Sequence, residues 1–219
     1  MSLKINELYK HFDLRGGRKA VLEGLDLQVE PGEIFALSGA NGSGKTTLLK
    51  IIAALVLPTS GSVFSGGINV VDFPREARTG LVCDADSSFY RMLSVEENIR
   101  FFARLYGRPV DSAEKRTALL FDELGLNAHR KTTFAHLSSG MKQRLALARA
   151  LLSEPRVLLI DEVSRSLDEE SAANISSYIR NAVSKSDAAC VAVTHDSSWA
   201  GKYADRAGVL VNGTIELIQ

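Results

Sequence analysis

A glycine-rich segment, GANGSGKTT at residues 39–47, carries the first pattern with a clear chemical meaning. It follows the apolar run IFALS and precedes TTLLKIIAALV, and it matches G-x-x-x-x-G-K-[S/T] in the strand, loop and helix context of a phosphate-binding loop. Glycines let backbone N–H groups approach phosphate oxygens, and the dipole of the following helix favours negative charge. The loop residues expected to contact a nucleotide are Gly39, Asn41, Gly42, Ser43 and Gly44.

The three residues that follow these glycines have separate expected roles. Lys45 would place a positive charge at the β- and γ-phosphates, which makes it a candidate catalytic residue. The hydroxyl of Thr46 is expected to ligate Mg²⁺, and Thr47 would add a hydrogen bond to phosphate. The whole segment therefore predicts nucleotide binding.

Two carboxylates end a second apolar run, VLLIDE at residues 157–162. Asp161 at the end of a strand suits a contact on the Mg²⁺ side of a nucleotide site. Glu162, one residue further, would reach the γ-phosphate and either orient or deprotonate a water molecule. A strand that ends in Asp-Glu is a weak signal alone, and it becomes strong beside a phosphate-binding loop.

A histidine and a serine-glycine segment complete the candidate residues. His195 follows the run AACVAVT, at the carboxyl end of a predicted strand, where ligands of open α/β sheets bind. We expect it to hydrogen-bond the γ-phosphate, although a structural histidine is the alternative. The segment LSSGMKQR at residues 137–144 begins a predicted helix with Ser138, Ser139 and Gly140, and it either caps a core helix or binds phosphate there.

Composition limits the other function classes. The 219 residues carry 26 basic and 26 acidic side chains, so no overall positive field attracts nucleic acid, and none is expected as a partner. The Asn-Lys-x-Asp motif of a GTPase is missing from the sequence, and a small-molecule kinase would leave LSSGMKQR unexplained. No apolar run approaches the roughly 18 residues of a membrane span and no signal-peptide pattern begins the chain, which favours the cytosol. Cys83 and Cys190 are expected to be reduced.

The elements that must position these residues alternate in type. Short apolar runs rich in β-branched residues are separated by longer amphipathic stretches, which predicts an α/β fold with a largely parallel sheet. The N-terminal runs LKINELYKHF and KAVLEGLDLQV predict antiparallel strands, and VLVNGTIELI predicts a closing hairpin at Asn212 and Gly213.

The middle of the chain predicts an inserted helical subdomain at about residues 87–139. Ser94 and Glu97 form a capping box before one helix, and a second helix is expected at about 111–124, where Gly125 ends it. Residues at about 1–86 and 140–219 would then form the core and the N-terminal β-subdomain of a single domain.

Together these motifs resemble the nucleotide-binding subunit of ATP-binding cassette (ABC) proteins over essentially the whole chain. In order, they are the phosphate-binding loop at 39–46, the signature at 137–144, the carboxylate strand at 157–162, the segment SLD at 166–168 and the histidine at 195. The resemblance implies a P-loop NTPase fold that converts ATP and water to ADP and phosphate with Mg²⁺. It also implies an aromatic residue that stacks on adenine; Phe12 occupies the matching place, and Tyr9 is the alternative.

The resemblance further implies that two cassettes pack head to tail. The phosphate-binding loop of one and the signature of the other would enclose each ATP, so Ser138, Ser139 and Gly140 would act in trans. The partners implied are a second cassette, in a homodimer or a pair, and a separate transmembrane permease that the chain would join at the cytoplasmic face of the cell membrane. The docking surface is expected to include Phe89, Tyr90, Arg91 and the helix that contains FFARLYG, although a core role for Phe101 and Phe102 is the alternative.

Three positions depart from the family pattern. The usual glutamine after the GLV strand is replaced by Asp84 or, with a one-residue shift, by Ala85, and Asp84 becomes a candidate metal contact. Ser139 replaces a glycine of the usual signature LSGGQ. Val163 follows the catalytic glutamate in place of proline, which removes a fixed φ angle. Hydrolysis is still expected.

The main functional hypothesis is therefore the ATPase subunit of a membrane transporter. The segments FFARLYG and RSLD are similar to cassettes of two-component exporters, including haem-exporter-like types. A soluble ABC ATPase of an assembly system such as iron–sulfur cluster biogenesis is one alternative. A nucleotide-dependent binding module with little turnover is another, and the direction and substrate of transport are left open.

Overall fold

The computed structural model describes residues 2–72, 79–83, 85–162 and 167–218. Over these ranges the strands are β1 (Leu3–Leu14), β2 (Gly17–Val29), β3 (Ile34–Ser38), β4 (Ser60–Ser65), β5 (Ile68–Asn69), β6 (Thr79–Val82), β7 (Val157–Asp161), β8 (Ala189–Val193), β9 (Arg206–Val211) and β10 (Thr214–Ile218). The helices are α1 (Lys45–Ile52), α2 (Val95–Leu105), α3 (Val110–Glu123), α4 (Ser139–Leu152), α5 (Glu169–Ser186) and α6 (Ser197–Tyr203). Three predicted positions, Asp84, Val163 and Ser166, lie outside the described residues.

The central sheet has six strands in the order β10-β9-β3-β8-β7-β6. Neighbours from β9 to β6 are parallel, and β10 runs antiparallel to β9. Strand β8 lies between β3 and β7, so Val193 pairs with Leu37 on one side and with Asp161 on the other. The carboxyl ends of these three strands therefore lie together at one edge of the sheet.

The N-terminal sheet has four antiparallel strands in the order β2-β1-β4-β5. In the second half of β2 the buried residues Leu25, Leu27 and Val29 alternate with exposed ones. Leu22 and Leu25 are fully buried in one apolar cluster with Leu48 and Ile52 of α1. This cluster fixes α1 between the two sheets. The register of β1 and β2 places Phe12 opposite Lys19.

The helices α2, α3 and α4 share a second apolar cluster. The predicted capping box is present, since Ser94 Oγ accepts from the Glu97 backbone N–H at 3.3 Å and Glu97 Oε2 accepts from the Ser94 N–H at 2.8 Å. Gly125, with φ of 64°, follows α3 as expected. The boundaries of the helical subdomain stay a prediction.

A buried amide holds the loop before α2. Asn98 is fully buried, its Oδ1 accepts from the Tyr90 N–H at 2.9 Å, and its Nδ2 donates to the carbonyl oxygens of Tyr90, Leu93 and Ser94. A buried amide with all these partners orders the loop from one side. Tyr90 stays half exposed on the outer side of the loop.

The expectation that Phe89 belongs to an exposed docking surface is wrong. Its side chain is 8% exposed, and its ring stacks on Phe134 with centroids 5.2 Å apart. The residue is part of the core because burial removes the large apolar surface of the ring from water and brings it into contact with a second ring. Its neighbours Tyr90 and Arg91 are exposed.

The two layers of sheet and the helices confirm the predicted α/β fold, with its parallel core, N-terminal antiparallel sheet and helical insertion. Among the described residues no helix has the length and apolar character needed to cross a membrane. Cys83 and Cys190 form no disulfide, and burial raises the pKa of the Cys190 thiol.

An ion pair joins α5 to the start of two central strands. Arg180 donates two hydrogen bonds to the carboxylate of Asp205, at 2.6 and 2.7 Å, and that carboxylate also accepts from the Ile34 N–H at 2.8 Å. The hydrogen bond from Arg180 is the main reason that the pKa of Asp205 lies below its usual range. Asp205 thus ties the first residue of β3 to α5.

We expect Asp205→Asn to lower the free energy of unfolding by about 1 kcal/mol at pH 7, since the pair is partly exposed and its charge is screened. A carboxyl whose pKa is lowered in the folded state stabilises above its unfolded pKa of about 4, and this contribution disappears as the pH falls. The difference between wild type and variant should therefore shrink below about pH 4 in urea titrations. Asp13→Asn, at a solvent-exposed pair, is the control; an equal loss there would contradict the assignment.

Candidate active site

The loop between β3 and α1 depends on glycines with positive φ angles. These are 145° at Gly39, 79° at Gly42 and 112° at Gly44, which caps α1. A Cβ at Gly39 would lie 2.8 Å from the carbonyl oxygen of Leu210, and one at Gly44 would lie 2.8 Å from Val21 Cγ1. Conformation and close packing both therefore require glycine at Gly39 and Gly44.

Lys45 is folded inward against this loop. Its side chain is 8% exposed, and Nζ donates to the carbonyl oxygens of Gly39 at 2.7 Å and Ala40 at 2.9 Å. Burial lowers the pKa of Lys45, while the negative charges of Asp161 and Glu162 raise it and so oppose that effect. The amine is thus held within the loop, near two carboxylates.

A second polar group in the loop is suited to an anion. Ser43 Oγ is buried, and within the described residues it has no hydrogen-bond partner. A buried hydroxyl without a partner is costly, and a phosphate oxygen would accept its proton.

The two carboxylates follow β7 as predicted. The hydroxyl of Thr46 donates to Asp161 Oδ2 at 3.2 Å, across 115 positions of sequence. Glu162 has a positive φ of 61°, and its N–H donates to the carbonyl oxygen of Val193 at 3.1 Å. This unusual backbone turn takes the chain out of the strand at the residue that carries the second carboxylate.

His195 follows β8 at the same edge. Thr194 is buried and its N–H donates to the carbonyl oxygen of Leu37 at 3.1 Å, whereas the His195 side chain is exposed. The N–H of Asp196 donates to Thr194 Oγ1 at 3.0 Å. The backbone around His195 is therefore fixed, while its imidazole is accessible to solvent.

These side chains line one cleft of about 390 Å³. The sequence-predicted residues that line it are Phe12, Asn41, Gly42, Gly44, Lys45, Thr46, Thr47, Asp161, Glu162 and His195. Lys19, Val21 and Val193 also line it, and sequence reasoning missed them because only the strand register brings them there. Tyr9 is not among the residues that line the cleft; its hydroxyl lies beside Gly24.

Phe12 is the aromatic residue that lines this cleft. Its ring is 38% exposed, and Lys10 Nζ lies 4.7 Å from the ring centroid. The cation lies over the ring and is itself held by a hydrogen bond to the carbonyl oxygen of Leu57 at 2.9 Å. An exposed flat ring held this way offers a surface on which a planar ligand can stack.

The signature segment lies outside this cleft. Ser138 caps α4, with Oγ accepting from the Met141 N–H at 3.3 Å, and Ser138 and Ser139 are exposed. Gly140 is buried, and a Cβ there would approach Ser171 Oγ to 3.2 Å. None of the three residues lines the cleft that contains Lys45. The start of α4 is thus not part of the cleft that contains the chain's own phosphate-binding loop.

Two basic residues of α4, which sequence reasoning missed, hold the segment that follows β6. Arg149 donates to the carbonyl oxygens of Leu81 and Ser88, both at 3.2 Å, and Lys142 Nζ donates to Asp86 Oδ1 at 2.6 Å. Helical spacing alone would place both on a solvated face. Ala85 in this segment is buried, and Asp84 lies outside the described residues.

A comparison with protein-family models finds one match, described as "ABC transporter", over residues 22–165. The chain is 37% identical over 223 residues to the sulfate/thiosulfate import ATP-binding protein CysA of Bradyrhizobium diazoefficiens, covering 100% of this chain and 63% of that protein. It is 33% identical to a Staphylococcus saprophyticus protein named for hemin import, HrtA, covering 98% of this chain and 99% of that protein. The chain thus spans less than two thirds of the first of these relatives.

A comparison with solved structures also finds an ATP-binding cassette. The chain superposes with a TM-score of 0.86 and 26% identity on the dimeric, post-hydrolysis structure of an ATP-binding cassette bound to ADP and Pi. The match covers 98% of this chain and 96% of that one.

Proposed function

The chain belongs to the ABC transporter family, and we propose that it is the ATP-hydrolysing subunit of a transporter whose membrane-spanning part is a separate protein. The reaction converts ATP and water to ADP and phosphate. The relatives described above are named for import, whereas the resemblance of FFARLYG and RSLD to exporters stays a prediction.

One observation carries the proposal. Lys45 and Thr46 at the start of α1, Asp161 and Glu162 after β7, and His195 after β8 line the same cleft. A phosphate-binding loop, a metal-side carboxylate, a second carboxylate and a histidine are the groups that phosphoryl transfer to water requires. Their meeting in one cleft supports hydrolysis rather than nucleotide binding alone.

The chain's own residues divide this chemistry. The loop and Lys45 would bind the phosphates and stabilise negative charge on the leaving group. Glu162 would orient or deprotonate a water that attacks the γ-phosphate in line with the bond to the leaving oxygen, and His195 would hydrogen-bond the γ-phosphate. Phe12 would stack on adenine.

Mg²⁺ fits the oxygen donors of Thr46 and Asp161, which lie 3.2 Å apart. Among the described residues no group of three or more His, Cys, Asp or Glu side chains is arranged to hold a metal by itself. Mg²⁺ in nucleotide sites is usually bound by one or two protein oxygens together with phosphate oxygens and water. When bound, the ion would neutralise charge on the phosphates, and Asp84 is proposed as a further contact.

The signature is proposed to act on a second copy of the chain. Ser138 and Ser139 are exposed at the start of α4, where N–H groups and the helix dipole favour an anion. Because they do not line the cleft of their own chain, a head-to-tail dimer would bring them to the ATP of the partner. Gly140, packed against α5, would hold the backbone of that turn in place.

The membrane partner is proposed to dock on the exposed residues around the loop before α2. Tyr90 is 50% exposed, Met92 is 84% exposed and Phe101 is 39% exposed, while Asn98 holds the loop from beneath. Exposed aromatic and methionine side chains are typical of protein interfaces. We place the chain at the cytoplasmic face of the cell membrane, on this partner.

We expect Phe12→Ala to raise the dissociation constant for ATP about tenfold, since stacking of a base on an aromatic ring contributes about 1–3 kcal/mol. Equilibrium binding with a fluorescent ATP analogue would measure it. Tyr9→Ala is the control and should change the affinity by less than about twofold, because that side chain does not line the cleft. The reverse ranking of the two variants would assign the stacking role to Tyr9.

We expect Glu162→Gln to lower kcat at least about 100-fold while ATP still binds, because the amide cannot accept a proton from water. Phosphate release and equilibrium binding would be measured on the same preparation. With ATP trapped, light scattering should detect a dimer. Retained turnover would contradict the role of Glu162, and a wild-type chain that binds ATP without turnover would favour a binding module.

We expect Ser138→Arg to leave ATP binding by the monomer within about twofold of wild type and to abolish hydrolysis, because the bulk and charge would block the partner's site. Binding is measured below the dimerisation concentration and turnover above it. Ser112→Arg, on an exposed turn of α3, is the matched control. Loss of monomer binding in Ser138→Arg would place the signature in the chain's own cleft.

A further inference from the structure

A buried hydrogen bond joins α5 to α6, the helix that follows His195. The indole Nε1 of Trp199 donates to Ser176 Oγ at 2.6 Å, and Ser176 Oγ in turn donates to the carbonyl oxygen of Ala172 at 2.6 Å. Trp199 is 4% exposed and Ser176 is 0% exposed. A buried chain of hydrogen bonds of this kind specifies one arrangement of two helices, because apolar packing alone tolerates small shifts.

The turn that carries His195 is connected directly to this contact. The carboxylate of Asp196 accepts from the N–H groups of Ser198 at 2.9 Å and Trp199 at 3.0 Å, so it caps α6. The pKa of Asp196 is lowered, mainly by the hydrogen bond from the Ser198 hydroxyl, which keeps the cap ionised. The cap thus links the backbone of Trp199 directly to the residue next to His195.

The other side of His195 is fixed by the central sheet. Thr194 hydrogen-bonds to Leu37 of β3, and it accepts from the Asp196 N–H. Within the described part of the chain, no hydrogen bond holds the imidazole of His195 itself. Its position therefore depends on two backbone anchors, β8 on one side and α6 on the other.

We propose that Trp199 and Ser176 are positioning residues for His195, an inference that rests on the proposed hydrolysis of ATP. The hydrogen bond locks α6 onto α5, and α6 holds the turn from which His195 reaches the γ-phosphate. Small errors in the position of a group that contacts the reacting atoms reduce the rate of the chemical step. The same errors leave binding nearly unchanged, because the loop at 39–47 and Phe12 hold the rest of the nucleotide.

Two variants remove the two ends of the same bond. Trp199→Phe keeps an aromatic ring but removes the N–H donor, and Ser176→Ala removes the acceptor. Each should lower kcat about tenfold and leave KM for ATP within about twofold. The double variant should resemble each single variant, because all three lack the same interaction. Steady-state phosphate release on the full chain measures these values.

Ser177→Ala is the matched control. Its hydroxyl is on the same helix and makes the same kind of bond, to the carbonyl oxygen of Ala173 at 3.0 Å, but it is exposed and does not contact Trp199. It should leave kcat unchanged. Urea unfolding of all variants separates rate effects from loss of folded protein, and Ser176→Ala provides the test if Trp199→Phe does not fold.

The outcomes distinguish this inference from the function on which it rests. Absence of ATP binding by the wild-type chain would overturn the proposed function. Normal binding with an unchanged kcat in both variants, or additive losses in the double variant, would overturn the positioning role. If the wild-type chain binds ATP without turnover, the fluorescence emission of Trp199, the single tryptophan of the chain, provides the test in place of kcat. A shift in this emission on ATP binding that is lost in Ser176→Ala supports the coupling between Trp199 and the nucleotide site. An equal shift in the wild type and in Ser176→Ala contradicts it.

Discussion

Parallel pairing of β8 with β3 on one side and β7 on the other is the interaction on which the site depends. Val193 is paired at once with Leu37 and with Asp161, and all three strands are buried between layers. Successive residues of these strands face two different apolar clusters, so a slip of one residue in either ladder would exchange their side chains between the two clusters and disturb the packing of both. That register brings the loop at 39–44, the carboxylates after β7 and the histidine turn to one edge of the sheet.

Charge within the cleft follows from this geometry. Lys45 is buried at the start of α1, where desolvation disfavours its charged form, and Asp161 and Glu162 supply the opposing negative charge. The loop carbonyls at Gly39 and Ala40 complete the shell around the amine. A buried cation is tolerated only when partners surround it, so the two carboxylates serve the fold as well as the chemistry proposed for them.

Helix α4 joins two distant surfaces as one rigid element. Its first turn presents the signature serines, while Lys142 and Arg149 further along hold the segment between β6 and the loop at 90–94. Asn98 of α2 holds the same loop through a hydrogen bond to Tyr90. A membrane partner docked on the loop at 90–94 would therefore contact a segment that is bonded to α4, the helix that also carries the signature. This gives a physical connection between the proposed docking surface and the ATP site of the second cassette. Separately, the hydrogen bond between Trp199 of α6 and Ser176 of α5 connects the turn of His195 to α5.

Local patterns in the sequence determined the elements and most residues of the cleft. Glycine spacing before Lys45, Asp161 and Glu162 after an apolar run, and the capping pair Ser94 and Glu97 each act through short-range rules of backbone conformation, so the sequence predicts them directly. The family resemblance, which rests on the order of the motifs, added Phe12, and Phe12 lines the cleft. Tertiary structure alone decided that Phe89 is buried, that Lys19 lies beside the cleft, that Arg149 clamps the segment after β6, and that Trp199 bonds to Ser176. These contacts join residues that are distant in the chain, and their partners are chosen by strand register and helix packing, which no local pattern of residue types specifies.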